Sequence, residues 1–124
     1  KENINKYTFD IDLVEDEDGL YSLMNKSDMI IGSGGVNLLE RMALGKPSIS
    51  IPVSSNQEQQ IELTNLVGAT FAVADNLHDI NSGLEHILNN YKEREKMSKS
   101  ARYLVDGNGA KRVASAIIDT QINV

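Results

Sequence analysis

The sequence predicts an α/β fold, in which helices flank a parallel sheet of about four strands. Three short apolar runs, at residues 28–31, 48–53 and 70–74, are bounded by polar or turn residues, as buried parallel strands are. Helical patterns alternate with these runs, and such alternation implies right-handed crossovers in a Rossmann-like sheet. The length of 124 residues fits a single domain over residues 1–124.

The remaining elements are predicted from the period of the apolar residues. Residues 7–13 alternate apolar and polar side chains, which predicts a fourth, half-buried strand. Helices are expected over residues 19–26, 36–44, 55–66, 77–88, 92–104 and 110–122. Four apolar residues of the last helix are expected to face a core: Val113, Ala114, Ile117 and Ile118.

Local signals mark the ends of several helices. Gly45 is the expected left-handed residue after helix 36–44. Ser55 and Glu58 have the spacing of a capping box. Asp75 or Asn76 is expected to start the helix that follows.

The composition limits the kinds of partner. A net charge of −6 argues against a nucleic acid, because phosphate backbones are bound by clustered Lys and Arg. The absence of cysteine removes disulfides and thiolate metal ligands, and it is compatible with a cytoplasmic location. No apolar run approaches the ~20 residues of a membrane span. We expect no cofactor and no metal, and the acidic run at 15–18 is expected to be a solvated loop.

The most informative segment is Gly-Ser-Gly-Gly at 32–35, which joins a predicted strand to a predicted helix. Ligands of parallel sheets bind beyond the carboxyl ends of the strands, which indicates 32–35, 52–57 and 75–76. Glycines let backbone amides approach a ligand, and a helix N-terminus favours an anion such as a diphosphate. A tight turn without a ligand has the same composition, so both interpretations stay open.

Polar side chains follow on the next two helices. Glu40 is suited to accept hydrogen bonds from both hydroxyls of a ribose, or it is a solvated glutamate paired with Lys46 or Arg41. Arg41 itself is expected to be a surface or ion-pair residue. The amide-rich segment 54–60 suits sugar hydroxyls, or it is a polar helix face.

No nucleophile–base pair is visible. Ser33, Ser54 and Ser55 have no histidine nearby in the sequence. His78 and His86 lie too far apart on one predicted helix for a metal-binding i, i+4 pair. We therefore assign no catalytic residue.

Four segments in this order resemble the nucleotide-sugar half of GT-B fold proteins: 27–35, 39–41, 44–48 and 56–57. They read Ser-Asp-Met-Ile-Ile-Gly-Ser-Gly-Gly, Leu-Glu-Arg, Leu-Gly-Lys-Pro-Ser and Asn-Gln. The similarity is closest to the UDP-sugar hydrolase of pseudaminic acid biosynthesis and its spore-coat polysaccharide relatives. It is more distant to the N-acetylglucosaminyltransferase that makes lipid II. Residues 106–113 also resemble a late Asp-Gly-x-Gly-Ala-x-Arg-Val segment of the hydrolase group.

The resemblance implies a UDP-sugar ligand without a required metal. It implies that the Gly34–Gly35 turn faces the diphosphate, and Ser33 beside it is expected to belong to the same substrate-binding set. Glu40 matches the glutamate that holds the ribose hydroxyls in the family.

The same resemblance implies a role for the amide side chains. Asn56 and Gln57 match a family pair at the sugar or the phosphates. Gln59 and Gln60 align with the paired glutamines that read sugar hydroxyls in the transferase branch.

The sequence departs from the family at its start. GT-B proteins have two Rossmann-like domains with the ligand between them. The N-terminal one of these domains has no counterpart in this sequence. The first strands of the C-terminal domain are also missing, and the chain begins with Lys1, so we expect a fragment. Missing strands would leave an unpaired edge beside residues 29–31, which favours self-association.

Two functions follow as hypotheses. The first is the UDP-sugar-binding part of a hydrolase or glycosyltransferase in surface polysaccharide biosynthesis, whose chemistry lies mainly in the missing domain. The second is a non-enzymatic, receiver-like interaction module. A receiver needs an aspartate at the end of a central strand, whereas Asp28 begins its strand.

Overall fold

The computed structural model describes residues 9–15 and 20–122. Helices and strands alternate through the first part, and three helices follow the last strand. The elements are α1 (Leu20–Lys26), β1 (Ile30–Gly32), α2 (Val36–Ala43), β2 (Ser48–Ser50), α3 (Ser55–Leu66), β3 (Phe71–Ala72), α4 (Leu77–Leu88), α5 (Tyr91–Leu104) and α6 (Gly109–Ile122).

The three strands form one parallel sheet in the order β1-β2-β3, which confirms the predicted fold class. Ile31 pairs with Ile49 in one register, and Ile49 pairs with Phe71 in the other. All three residues of β2 are buried, as expected for a central strand. Because the strands are parallel, their carboxyl ends lie along one edge of the sheet, and the turn at 32–35 begins there.

The expected fourth strand over residues 7–13 does not form in residues 9–13, and Tyr7 and Thr8 lie outside the described residues. The described part of the sheet therefore has three strands instead of about four. Phe9 and Leu13 are 65% and 56% exposed, so the alternating pattern has no buried face to stabilise pairing. The outer edge of β1 carries no strand within the described ranges. Self-association through this edge stays a prediction.

Two apolar clusters pack against the sheet. Adjacent residues of β3 belong to different clusters, Phe71 to one and Ala72 to the other, so the clusters lie on opposite faces. The buried members of the Ala72 cluster are Leu38, Met42, Ile61, Ala69 and Ala101. Those of the Phe71 cluster are Ile49, Ile87 and Met97.

Helix ends follow the sequence signals in two of three cases. Gly45 has a φ of 66°, as expected after α2. Asn76 caps α4 by accepting a hydrogen bond from the Asp79 amide at 2.9 Å. The capping box at Ser55 is wrong, because Ser55 is already the first helical residue and Ser54 is the N-cap. Glu58 then lies one position too late to return to the cap.

The last helix, α6, is not packed as predicted. Val113, Ile117 and Ile118 were expected to face a core, but they are 62%, 57% and 58% exposed, and Ala114 is exposed too. Within residues 9–15 and 20–122, the apolar stripe of α6 is therefore left uncovered. None of the helices in this part of the chain is long and apolar enough to cross a bilayer.

Asp106 holds the turn that starts α6. Its carboxylate accepts hydrogen bonds from the Asn108 amide at 2.9 Å and from Arg112 Nη1 at 2.7 Å. Gly107 completes the turn with a φ of 74°. These contacts give much of the 106–113 segment a structural role.

Asp106 is predicted to titrate well below an ordinary aspartate. The hydrogen bond from Arg112, followed by that from the Asn108 amide, lowers the pKa of Asp106 to about 2. Because the folded pKa is depressed, the stabilising contribution is present above about pH 4 and is lost as the pH falls toward 2. A ¹³C-carboxyl NMR titration measures this pKa, and Arg112→Gln should raise it. An Asp106 pKa near 4 in the unsubstituted protein would show that these contacts do not persist in solution.

Candidate functional site

The glycine turn at 32–35 ends in a backbone conformation that only glycine adopts easily. Gly35 occupies the N-cap position of α2 with φ 82° and ψ −156°, a region essentially restricted to glycine. A Cβ at Gly35 would meet nothing within 4 Å, so the space beside it is open. No side chain caps α2, in contrast to α4 with Asn76. The start of α2 is thus an uncapped helix N-terminus beside open space.

Two amides of this turn donate to glutamine side chains of α3. Gly35 N–H donates to Gln60 Oε1 at 2.6 Å, and Gln60 Nε2 donates back to the Gly35 carbonyl at 3.3 Å. Gly34 N–H donates to Gln57 Oε1 at 3.3 Å. The same oxygen accepts from Val53 N–H at 3.3 Å, at the approach to α3. The Gly34 and Gly35 amides are therefore hydrogen-bonded to neutral side-chain carbonyl oxygens.

Gly34 brings the turn and α3 into close contact. A Cβ at Gly34 would lie 3.0 Å from Gln57 Cβ and 3.2 Å from Gln60 Oε1. A larger residue would push α3 away from the turn. Glycine here keeps the polar side chains of α3 within reach of the Gly34 and Gly35 amides.

Arg41 lies directly behind the turn and is 1% exposed. Its Nη2 donates to the Ser33 carbonyl at 2.7 Å and to Ser50 Oγ at 3.3 Å. Its Nη1 donates to Asn37 Oδ1 at 3.0 Å. None of the ion pairs among the described residues involves Arg41, and burial lowers its pKa.

The expectation that Arg41 is a surface or ion-pair residue is therefore wrong. Arg41 follows Leu38 by three residues and precedes Met42, and both are buried. Helical spacing places Arg41 on the inward face of α2, and this position was the available signal.

A buried hydroxyl network connects Arg41 to the centre of the sheet. Thr70 Oγ1 donates to the Ser48 carbonyl at 2.9 Å, which uses its single proton. Thr70 Oγ1 must therefore accept from Ser50 Oγ at 2.7 Å and Ser48 Oγ at 3.1 Å. Ser50 Oγ in turn accepts from Arg41, so the chain of bonds fixes the guanidinium relative to β2 and β3.

The other predicted site residues are exposed. Glu40 lies on the outer side of α2, and none of the ion pairs in the described residues involves it. Lys46, one of its suggested partners, donates to the Asn25 carbonyl at 2.7 Å. Asn56 and Gln59 are exposed on α3, and Asn56 Oδ1 accepts from Ser54 Oγ.

The structure thus brings part of the predicted set together. Ser33, Gly34, Gly35, Gln57 and Gln60 are linked by contacts at the start of α2 and α3. Glu40, Asn56 and Gln59 contact none of them through the side-chain hydrogen bonds seen in residues 9–15 and 20–122. At the third predicted position, 75–76, Asn76 has a structural role as the N-cap of α4.

No metal centre is found in the part of the chain that the structure describes. No three His, Asp or Glu side chains there are grouped closely enough to hold an ion. Asp16, Glu17 and Asp18 of the acidic run lie outside the described residues. His86 Nε2 lies 2.6 Å from Glu93 Oε2 and links α4 to α5.

Comparison with known proteins agrees with this architecture. The family model "Glycosyltransferase family 28 C-terminal domain" matches residues 1–117. The chain is similar to the spore coat polysaccharide biosynthesis protein SpsG of Bacillus subtilis (strain 168), with 26% identity over 118 residues. This match covers 86% of the chain and 33% of the relative, so the chain spans about a third of that protein's length. No solved structure gives a significant match.

The family match extends over nearly the whole sequence, including the glycine turn, α2 and α3. It confirms the expected relation to glycosyltransferase C-terminal domains. The chain belongs to the glycosyltransferase family 28 C-terminal domain family.

Proposed function

We propose that this chain is the UDP-sugar-binding part of a cytoplasmic hydrolase or glycosyltransferase in polysaccharide biosynthesis. The observation that carries the proposal is the pair of amides at Gly34 and Gly35, aimed at hydrogen-bond acceptors from α3. The family membership and the polysaccharide-biosynthesis role of the similar Bacillus protein support it. Both point to glycan synthesis as the setting.

In this proposal, diphosphate oxygens replace the glutamine oxygens at the turn. Hydrogen bonds to an anion are shorter and roughly twice as strong as those between neutral groups. The uncapped N-terminus of α2 adds the positive end of the helix dipole. A diphosphate therefore competes well with Gln57 and Gln60, whose neutral carbonyls hold the same amides.

Glu40 is proposed to bind the ribose. It lies four residues after the first residue of α2, which is about 6 Å along the helix axis. That distance separates a diphosphate at the helix start from the ribose attached to it. The exposed carboxylate, with no ion pair in the described residues, keeps both oxygens for ribose hydroxyls.

The amide side chains of α3 are proposed to bind the sugar or its phosphates. Asn56 and Gln59 are exposed, and Gln57 and Gln60 become available when the phosphates displace them from the turn. Each amide offers both donors and an acceptor, which matches sugar hydroxyls. The catalytic residues are proposed to lie in a partner N-terminal domain.

The receiver-like alternative has no support in the sheet. The strands end at Gly32, Ser50 and Ala72, and none of these is a carboxylate that a phosphoryl group modifies. The strand ends instead offer backbone amides and neutral polar groups.

UDP binding is the first prediction. In a ¹H–¹⁵N NMR titration, UDP should shift the amide signals of Gly34 and Gly35 together with others in 32–40 and 54–60. Uridine, which lacks phosphates, should leave the Gly34 and Gly35 signals nearly unchanged. Millimolar UDP that moves no signal in these segments would refute nucleotide binding by this chain.

The Glu40→Ala substitution tests the ribose assignment. UDP affinity should fall by about tenfold or more, since a charged acceptor is lost. The free energy of unfolding should change by less than about 0.5 kcal/mol, because the side chain is on the surface. Glu62→Ala on α3 removes the same charge and should leave UDP affinity unchanged. The loss should be smaller for 2′-deoxy-UDP, and equal UDP affinity in Glu40→Ala and the unsubstituted protein would sink the assignment.

The Gln60→Ala substitution separates the two proposed roles of Gln60. Removing the carbonyl that occupies Gly35 should leave UDP affinity unchanged or raise it by a few-fold, because one competing hydrogen bond disappears. The preference for UDP-N-acetylglucosamine over UDP should fall, because a sugar contact is lost. Asn81→Ala, an exposed amide on α4, is the control. Calorimetry that showed equal losses for both ligands would contradict this division.

A further inference from the structure

The peptide group between Ser33 and Gly34 has a partner at each end. Its carbonyl oxygen accepts from Arg41 Nη2 at 2.7 Å. Its N–H, which belongs to Gly34, donates to Gln57 Oε1 at 3.3 Å. One rigid, planar unit therefore connects a buried cation to the donor that faces α3.

The two ends of this unit act together. In a trans peptide the C=O and the N–H point in opposite directions. Arg41 holds the Ser33 carbonyl on one side, so the Gly34 N–H is directed to the other side, toward Gln57 of α3. A charge-assisted bond at the carbonyl also polarises the peptide and makes its N–H a better donor.

The charge of Arg41 is not neutralised within the described residues. Its oxygen partners, on Ser33, Asn37 and Ser50, are all uncharged. Its Nε is buried and has no hydrogen-bond partner. Burying a charge without an ion partner is costly, and an anion nearby recovers part of that cost.

The turn is built to admit this guanidinium. A Cβ at Gly32 would lie 2.5 Å from Arg41 Nη1 and 3.3 Å from its Cζ. Glycine at the end of β1 therefore leaves the space that the guanidinium occupies. The position of the Arg41 guanidinium therefore depends on the absence of a side chain at Gly32.

We propose that Arg41 is a positioning residue of the diphosphate site: it orients the Ser33–Gly34 peptide and supplies the uncompensated positive charge behind it. This inference rests on the proposed binding of UDP at the turn. Arg41 does not touch the ligand in this arrangement. Its effect reaches the phosphates through the Gly34 N–H and through the electric field.

The test compares UDP with uridine in the unsubstituted protein, Arg41→Met and Arg41→Lys. Arg41→Met should weaken UDP by roughly tenfold or more, because a charge-assisted interaction is lost, and it should leave uridine affinity unchanged. Arg41→Lys keeps the charge and should restore part of the UDP preference. Arg102→Met removes an arginine whose Nη2 donates to the Leu44 carbonyl, beyond the other end of α2, and should change neither affinity.

The outcomes separate the two proposals. Unsubstituted protein that fails to bind UDP refutes the proposed function, and the role of Arg41 with it. UDP binding with the same preference over uridine in Arg41→Met overturns the role of Arg41 alone. Circular dichroism checks the fold of each variant.

A second measurement decides the matter if Arg41→Met does not fold. In the unsubstituted protein, UDP should shift the Arg41 Nε–H signal together with the Gly34 amide signal, whereas uridine should shift neither. A Gly34 signal that moves while the Arg41 signal stays fixed would overturn the proposal.

Discussion

A buried guanidinium held only by neutral oxygens is the interaction on which the geometry of the candidate site depends. Arg41 joins the end of β1, the inner face of α2 and the Ser50 hydroxyl of β2 through three hydrogen bonds. The hydroxyl of Thr70 extends the same network to the residue before β3. Arg41 holds the glycine turn through the Ser33 carbonyl, and the glutamines of α3 hold it through the Gly34 and Gly35 amides. The turn is thus set by tertiary contacts as well as by its glycines.

In the free protein, two glutamines of α3 satisfy hydrogen-bonding groups of the turn. Gln60 pairs with both polar groups of Gly35, and Gln57 accepts from Gly34 and Val53. Such pairing removes the cost of leaving partly buried amides unsatisfied. It also means that any anion at the turn exchanges with a neutral acceptor. Affinity then reflects the difference between charged and neutral hydrogen bonds, not their full strength.

The sequence predicted the layout of the fold because its strongest signals are local. The runs at 48–53 and 70–74 contain strands, although shorter ones, and Gly45 and Asn76 end and begin helices as expected. The predicted strand does not form in residues 9–13, and the apolar stripe of α6 does not face a core. Both patterns require a partner surface that residues 9–15 and 20–122 do not supply. The surface prediction for Arg41 is wrong because its position on the inward face of α2, and not its charge, decides its burial. The glutamine–glycine contacts join residues 23 and 25 positions apart, which local patterns cannot reveal.

In the proposed function the chain carries one side of a UDP-sugar site, and its match covers 33% of the similar Bacillus protein. Glu40 is exposed on α2, and Asn56 and Gln59 are exposed on α3, whose Gln57 and Gln60 accept hydrogen bonds from the Gly34 and Gly35 amides. A crystal structure of the protein with UDP tests this arrangement most directly. Diphosphate oxygens should lie at about 2.7–3.2 Å from the Gly34 and Gly35 nitrogens, with the Gln60 carbonyl turned away from Gly35. UDP bound elsewhere, with Gln60 still on the Gly35 amide, would contradict it.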